Sequence, residues 1–229
     1  MNNKFKYILA LTLIIIPFYF LIIFEKSISV INISASRLFG KYLMFSIAGI
    51  CAIYAINRFF LKELAVNFFK IKEITLINIS LGLLLLSITY FIISLGNITY
   101  FRWIPMSTDN TQSLAALTKI MSNNFYAIIL LGPFIWISEL FLVLSRAFIL
   151  NNCWALSQKK IWIWVSIFGT ALLLSLTQID KGIPVIINTF LIVFASNILY
   201  FKYRSITPLL ISAIVLQTID LVSFWFYIN

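Results

Sequence analysis

The sequence predicts an all-α fold, a polytopic bundle of membrane-spanning helices, and three observations carry that prediction. The first is composition: 229 residues, 62% hydrophobic, only 10% charged, with a mean hydropathy of +1.04. A soluble domain is about 45–50% apolar and about 25% charged, and a chain of this size has too much surface to hide such an excess from water. Disorder needs the opposite composition. The second is continuity, since the apolar runs are too long for strands and lack the alternation of a membrane barrel. The third is charge placement, because Lys and Arg punctuate those runs. At about 20 residues per span, the length suits seven spans in one integral domain over 1–229, with little left for a soluble part.

The first run, Tyr7 to Phe24, follows Lys4 and Lys6 and ends in Phe20, Leu21, Ile22, Ile23 and Phe24, with no small-residue cleavage site. It reads as an uncleaved anchor rather than a signal peptide. Further runs lie at Tyr42–Ile56, Ile74–Leu95, Phe125–Leu150, Ile161–Thr177, Ile183–Tyr200 and Ile206–Ile228. An eighth candidate, Ser27–Gly40, is apolar but shorter and dotted with serines. Pro208 after Thr207 fits an N-cap followed by a first-turn proline. Trp162 and Trp164 at one end of a span, and Trp225 and Tyr227 at the end of another, suit interfacial belts.

With the N terminus inside, the cytoplasmic basic residues are Lys4, Lys6, Arg58, Lys62, Lys70, Lys72, Lys159, Lys160, Lys202 and Arg204. The other side keeps Lys26, Arg37, Lys41, Arg102, Lys119 and Lys181. Ten against six favours that orientation in a cell membrane. Between the second and third runs, Arg58–Glu73 sets Phe60, Leu64, Phe68 and Ile71 at helical spacing among basic residues. That segment reads either as a helix lying on an anionic leaflet or as a plain cytoplasmic hairpin. The longest polar stretch, Tyr100–Asn124, contains Asp109, Asn110, Thr111 and Gln112.

Composition also removes several chemistries. The chain has no histidine, the commonest general base and zinc ligand. Cys51 and Cys153 are far apart and form no metal pattern. No metal and no cofactor are expected. The net charge of +10 would point to nucleic acid in a soluble domain; here it fits topology and lipid headgroups, so the bilayer is the expected partner. Neither a Walker A motif nor GxGxxG occurs, which leaves no case for a nucleotide. A composition rich in Ile, Asn and Lys points to an AT-rich bacterial genome.

An acid in hydrocarbon costs ~2.5–3.5 kcal/mol on insertion scales, so it faces the bundle interior and a partner. Glu139 is the one acid deep in a strong span, in Pro133-Phe-Ile-Trp-Ile-Ser138-Glu139-Leu-Phe-Leu-Val143-Leu-Ser-Arg146. Arg146 lies two turns on along the same face, about 10 Å of rise away. Pro133 removes a backbone donor beside the site. Gln178 and Asp180 end the next span, and Gln217 and Asp220 sit three residues apart in the last. Together these residues read as a buried polar cluster contributed by three helices, with Glu139, Gln178 and Gln217 converging on one interior cavity.

This arrangement resembles the CAAX-protease and bacteriocin-processing (CPBP, or Abi) family of intramembrane proteases, whose pattern is EExxxR in one span, FxxxH in the next and HxxxN or HxxxD in a later one. Thr111-Gln112, then Gly132-Pro133-Phe-Ile-Trp-Ile-Ser138-Glu139, looks like the lead-in to the first motif. The resemblance puts Ser138 and Glu139 at the two Glu positions and Val143 at the Arg position. Leu174 and Gln178 stand for Phe and His. The run Tyr203-Arg-Ser205-Ile-Thr-Pro208 onward leads to Gln217 at the last His position, with Leu221 at the Asn/Asp position and Asp220 one residue early. The likeness covers 110–224, about half of the chain.

In that family Glu and His activate or position a water for peptide hydrolysis. Here one Glu and both His positions are replaced, and glutamine cannot take a proton near neutral pH. The resemblance therefore implies a proteolytically degenerate member that binds or regulates another membrane protein or a transmembrane peptide, or confers self-immunity to a bacteriocin. Two other readings stand beside it: an active peptidase using Glu139, and a small transporter or channel lined by Glu139, Gln178, Gln217 and Asp220.

Overall fold

The computed structural model describes residues 3–20, 23, 35–61, 76–99, 125–157, 159–179 and 182–228. They form seven helices and, among the described residues, no strand. These are α1 (Asn3–Ile15), α2 (Ala35–Ala55), α3 (Leu76–Thr99), α4 (Phe125–Leu156), α5 (Lys160–Leu176), α6 (Ile183–Tyr203) and α7 (Thr207–Ile228). Each of the seven apolar runs becomes one helix. Residues 35–40 of the eighth candidate are the first turns of α2, and its remainder lies outside the described residues. So do residues 62–75, which hold most of the basic amphipathic segment, and residues 100–124.

Four stretches are long and apolar enough to cross a membrane: Leu43–Leu61, Leu76–Gly96, Gly132–Leu156 and Ile183–Tyr203. The helices Lys160–Leu176 and Thr207–Ser223 are apolar and shorter. The chain is a helical membrane protein.

Local chemistry sets several helix ends. Pro17 lacks a backbone N–H and clashes with the preceding turn, and α1 continues through it as a widened π-helical turn, Ile16–Phe20. A second π-helical turn, Ile56–Leu61, closes α2 without any proline. Gly182 enters α6 at φ 91°, a conformation that only glycine adopts freely, with Pro184 in the first turn behind it. Arg204 ends α6 in the left-handed region, its N–H donating to the Tyr200 carbonyl.

Cross-helix contacts fix the directions. Phe18 packs on Phe45 and Phe141, while the earlier part of α1 lies against 56–61, so α1 runs antiparallel to α2. Ser46 meets Ser138 and Gly49 meets Phe141, so α2 and α4 are parallel. Trp154 and Ser166 pin the antiparallel α4–α5 hairpin. Arg146 with Ser196, and Asn151 with Tyr200, set α6 parallel to α4. Glu139 with Gln217, and Trp136 with Thr218, set α7 antiparallel to it. Gly82 lies on Pro208 and Ile211 at the start of α7 and Gly96 on Asn188 near the start of α6, so α3 runs parallel to α7 and antiparallel to α6.

Each of the seven described helices thus runs opposite to the next described one, an up-and-down arrangement. The ends that carry Lys4, Lys6, Arg58, Lys159, Lys160, Lys202 and Arg204 all fall at one end of it. Arg204 stacks there on Trp154, 4.0 Å from the ring centre. Trp162 and Trp164 are exposed at the same end.

Helix α4 is the hub, packed against α1, α2, α5 and α7. Its Gly132–Leu156 stretch is 50% buried, against 17% for Leu76–Gly96 in α3, which places α4 inside and α3 at the rim. All eight residues 143–150 are buried, which covers the whole circumference of the helix. At 32 residues α4 is about 48 Å long, well beyond a hydrocarbon core of about 30 Å, so it tilts or projects from it.

Candidate functional site

The sequence-predicted residues divide among four surfaces of α4 and its neighbours. Glu139 and Gln217 do come together: Gln217 Nε2 donates to Glu139 Oε1 at 3.0 Å, joining α4 to α7 across 78 residues of chain. One turn away, Trp136 Nε1 donates to Thr218 Oγ1 at 3.1 Å. The α4–α7 seam is therefore a polar ladder, and its carboxylate accepts from a donor that cannot relay a proton. Both side chains are half-buried.

Ser138 turns elsewhere. Successive helical residues are about 100° apart, and Ser138 faces α2, where it accepts from Ser46 Oγ at 3.3 Å and donates to the Phe134 carbonyl at 3.2 Å. The two residues that the resemblance would set at paired-Glu positions therefore face different helices. Val143 is fully buried one turn beyond Glu139, and Leu174 is 4% exposed on α5. Both serve the apolar core.

Gln178 follows α5 in a turn and makes its hydrogen bond there, Nε2 donating to Thr177 Oγ1 at 3.5 Å, rather than to Glu139 or Gln217. Its Oε1 is buried without a partner among the described residues. The expected convergence of three residues is thus a pair on the α4–α7 seam, with the third held in its own turn. Asp180 lies outside the described residues. Asp220 is exposed, not part of a buried cluster. It lies about 60° round the helix from Gln217, at the exposed edge of that face, near enough to α3 for its charge to act on Tyr90.

Arg146 is more central than its supporting role implied. It is buried, and its guanidinium Nη1 donates to Ser196 Oγ on α6. Beside it, Tyr19 on the π-helical turn of α1 is fully buried and hydrogen-bonded to Ser145. Arg146 feels the negative charge of Glu139, while its Nε has no hydrogen-bond partner among the described residues. A polar centre thus ties α1, α4 and α6 together, just under two turns from the Glu139–Gln217 pair. Tyr19, Ser145 and Ser196 are absent from the sequence-predicted set. The available signal was modest: a tyrosine two residues after a proline, and a serine beside Arg146 in mid-span.

Among the described residues, no three His, Cys, Asp or Glu side chains come together as a metal site. Cys51 is exposed on α2 and Cys153 is half-buried on α4, both as free thiols. No protein-family profile, curated protein or solved structure matches the chain.

Proposed function

We propose that this chain is a seven-span protein of a bacterial cell membrane, with its N terminus in the cytoplasm. On this reading it is built on a CPBP-like core and acts by binding or regulating another membrane protein, bacteriocin self-immunity included, without cutting it. The observation that carries the reading is the Glu139–Gln217 bond. Peptide hydrolysis needs a base to take a proton from water and donors to stabilise the oxyanion. Glu139 instead accepts from an amide, and the remaining motif-equivalent positions hold Ser138 turned to α2, buried Val143 and Leu174, and Gln178 bonded in its own turn. A carboxylate fixed in this way organises a helix seam. Support for the orientation comes from seven of the ten Lys and Arg in the described residues, which gather at one end, the expected cytoplasmic one.

The test is a cleavage assay on the purified chain with fluorogenic transmembrane and prenylated peptides, beside Glu139→Gln. Neither protein is expected to cleave. Cleavage by the wild type that disappears in Glu139→Gln would replace this reading with an active glutamyl-type peptidase.

A further inference from the structure

The seam between α3 and α7 presents a carboxylate to the outside of the bundle. Asp220 is exposed, and beside it on α3 Tyr90 is 37% exposed and within reach of its charge. Tyr90 lies four residues from Leu86, the midpoint of the Leu76–Gly96 apolar stretch. That is about 6 Å along the axis, well inside a hydrocarbon half-thickness of about 15 Å. Ser87 and Ser94, one turn either side of Tyr90, are exposed on the same face of α3, and Ser223 is exposed one turn beyond Asp220. Around this polar stripe the surface is apolar: Leu83 is 51%, Phe91 63% and Ile219 40% exposed.

A carboxylate at this depth in lipid is costly, and an opposite charge offsets the cost best. The chain's described cations are placed elsewhere. Lys4, Lys6, Arg58, Lys159, Lys160, Lys202 and Arg204 stand at the basic end, and Arg146 is in the interior, bonded to Ser196. Arg37 and Lys41 belong to α2, which packs on the α1 and α4 side of the bundle. Because α3 is a rim helix, the stripe on it meets whatever lies beside the protein in the membrane.

We propose that the α3–α7 seam around Asp220 and Tyr90 is the docking face for a transmembrane helix of another protein that carries a lysine or arginine in its apolar core. The cation meets Asp220, and the serine and tyrosine hydroxyls bond the polar groups beside it. This rests on the partner-binding reading above and adds the face and the chemistry of the partner.

The test uses the full chain, labelled and reconstituted in phosphatidylcholine vesicles, with energy transfer to synthetic polyleucine transmembrane peptides. One peptide carries a single Arg at the matching depth, and its control carries Leu there. The Arg peptide should associate at least tenfold more tightly than the Leu peptide. Asp220→Asn should abolish that difference, while Glu139→Gln should keep it. Asp220→Arg should reverse the preference, towards a peptide carrying Glu, which separates a charge contact from loss of fold. Equal association of the Arg and Leu peptides with the wild type overturns the proposal. So does an Arg preference that survives Asp220→Asn. Loss of the preference in Glu139→Gln alone would move the docking face to the α4–α7 seam and keep only the partner-binding reading. Self-association of the labelled chain that Asp220→Asn abolishes would make the occupant a second copy, and would also overturn the proposal.

Discussion

The guanidinium of Arg146 on α4 and the hydroxyl of Ser196 on α6 are hydrogen-bonded in the interior of the bundle, fifty residues apart in sequence. Ser196 in turn donates to the Val193 carbonyl at 2.9 Å, so the hydroxyl accepts from one helix and donates within its own. The bond does more to orient α6 than to lower the free energy, because a buried charge gives up its hydration to be there.

Two substitutions at this contact should therefore differ in sign. Ser196→Ala leaves a buried guanidinium with one fewer acceptor and should cost about 1–3 kcal/mol. Arg146→Met removes the charge and keeps most of the volume, and should fall between neutral and about 4 kcal/mol stabilising. Thermal unfolding of the purified protein in one detergent distinguishes them. In the double variant, Ser196→Ala should cost almost nothing further.

Tyr19 permits a cleaner separation of packing from hydrogen bonding. It is fully buried, stacked beside Phe141 at a ring separation of 6.4 Å, and bonded through its hydroxyl to Ser145. Ser145 also donates to the Leu142 carbonyl at 3.1 Å, so it keeps a partner when the phenol hydroxyl is removed. Tyr19→Phe should cost about 1 kcal/mol. Tyr19→Ala opens a cavity between α1 and α4 and should cost about 3–5 kcal/mol. Equal losses in a melting series would mean that the ring contributes little and the hydroxyl carries the contact.

Gly82 tests how closely α3 is held. A β-carbon built there would lie 3.0 Å from the Ile211 side chain and 3.2 Å from the Pro208 carbonyl oxygen. The backbone of α7 cannot retreat without disturbing its first turn. Gly82→Leu should therefore destabilise by about 1–3 kcal/mol and push α3 outward. Gly169 on α5 is the control, since nothing lies within 4 Å of its β-carbon position. Gly169→Leu should leave the melting temperature close to that of the wild type.

That each apolar run forms a helix among the described residues was legible, because it depends on chain-local quantities. An apolar run of about 20 residues is a helix wherever it packs in lipid, and Pro208 and Gly182 mark ends through their own backbone preferences. The Glu139–Gln217 pair was legible too, as the polar residues of two spans that cannot face lipid. Which polar residue meets which is a property of two surfaces together, and that was not. Ser138 and Glu139 are neighbours in sequence yet face α2 and α7, and Asp220, a turn from Gln217, is exposed near Tyr90 of α3 instead of joining the Glu139 pair. Only the order of helices around α4 decides these directions. The π-helical turn at Ile56–Leu61 has no proline or glycine to announce it, and nothing in its residues accounts for it.

The Glu139–Gln217 bond yields the sharpest test of what the carboxylate does. Gln217 Nε2 needs an acceptor at the α4–α7 seam, and Glu139 Oε1 supplies it at 3.0 Å. In Glu139→Gln the side-chain carbonyl can still accept, so the bond survives in neutral form. A hydrogen bond to a charged group is worth about 1.5–3 kcal/mol and a neutral one about 0.5–1.5. The variant should therefore lose about 1 kcal/mol, less whatever is regained by not burying a charge. Glu139→Leu removes the acceptor and strands the Gln217 amide, so it should cost more, by about 1–3 kcal/mol. Restoring an apolar seam with Gln217→Leu in the same chain should recover most of that loss, because the stranded donor is gone. A double-mutant cycle in detergent reads this as a coupling of about 0.5–3 kcal/mol between the two positions. Additive losses would mean that the two side chains act independently, and α7 would then be held to α4 by Trp136, Thr218 and the apolar contacts around them.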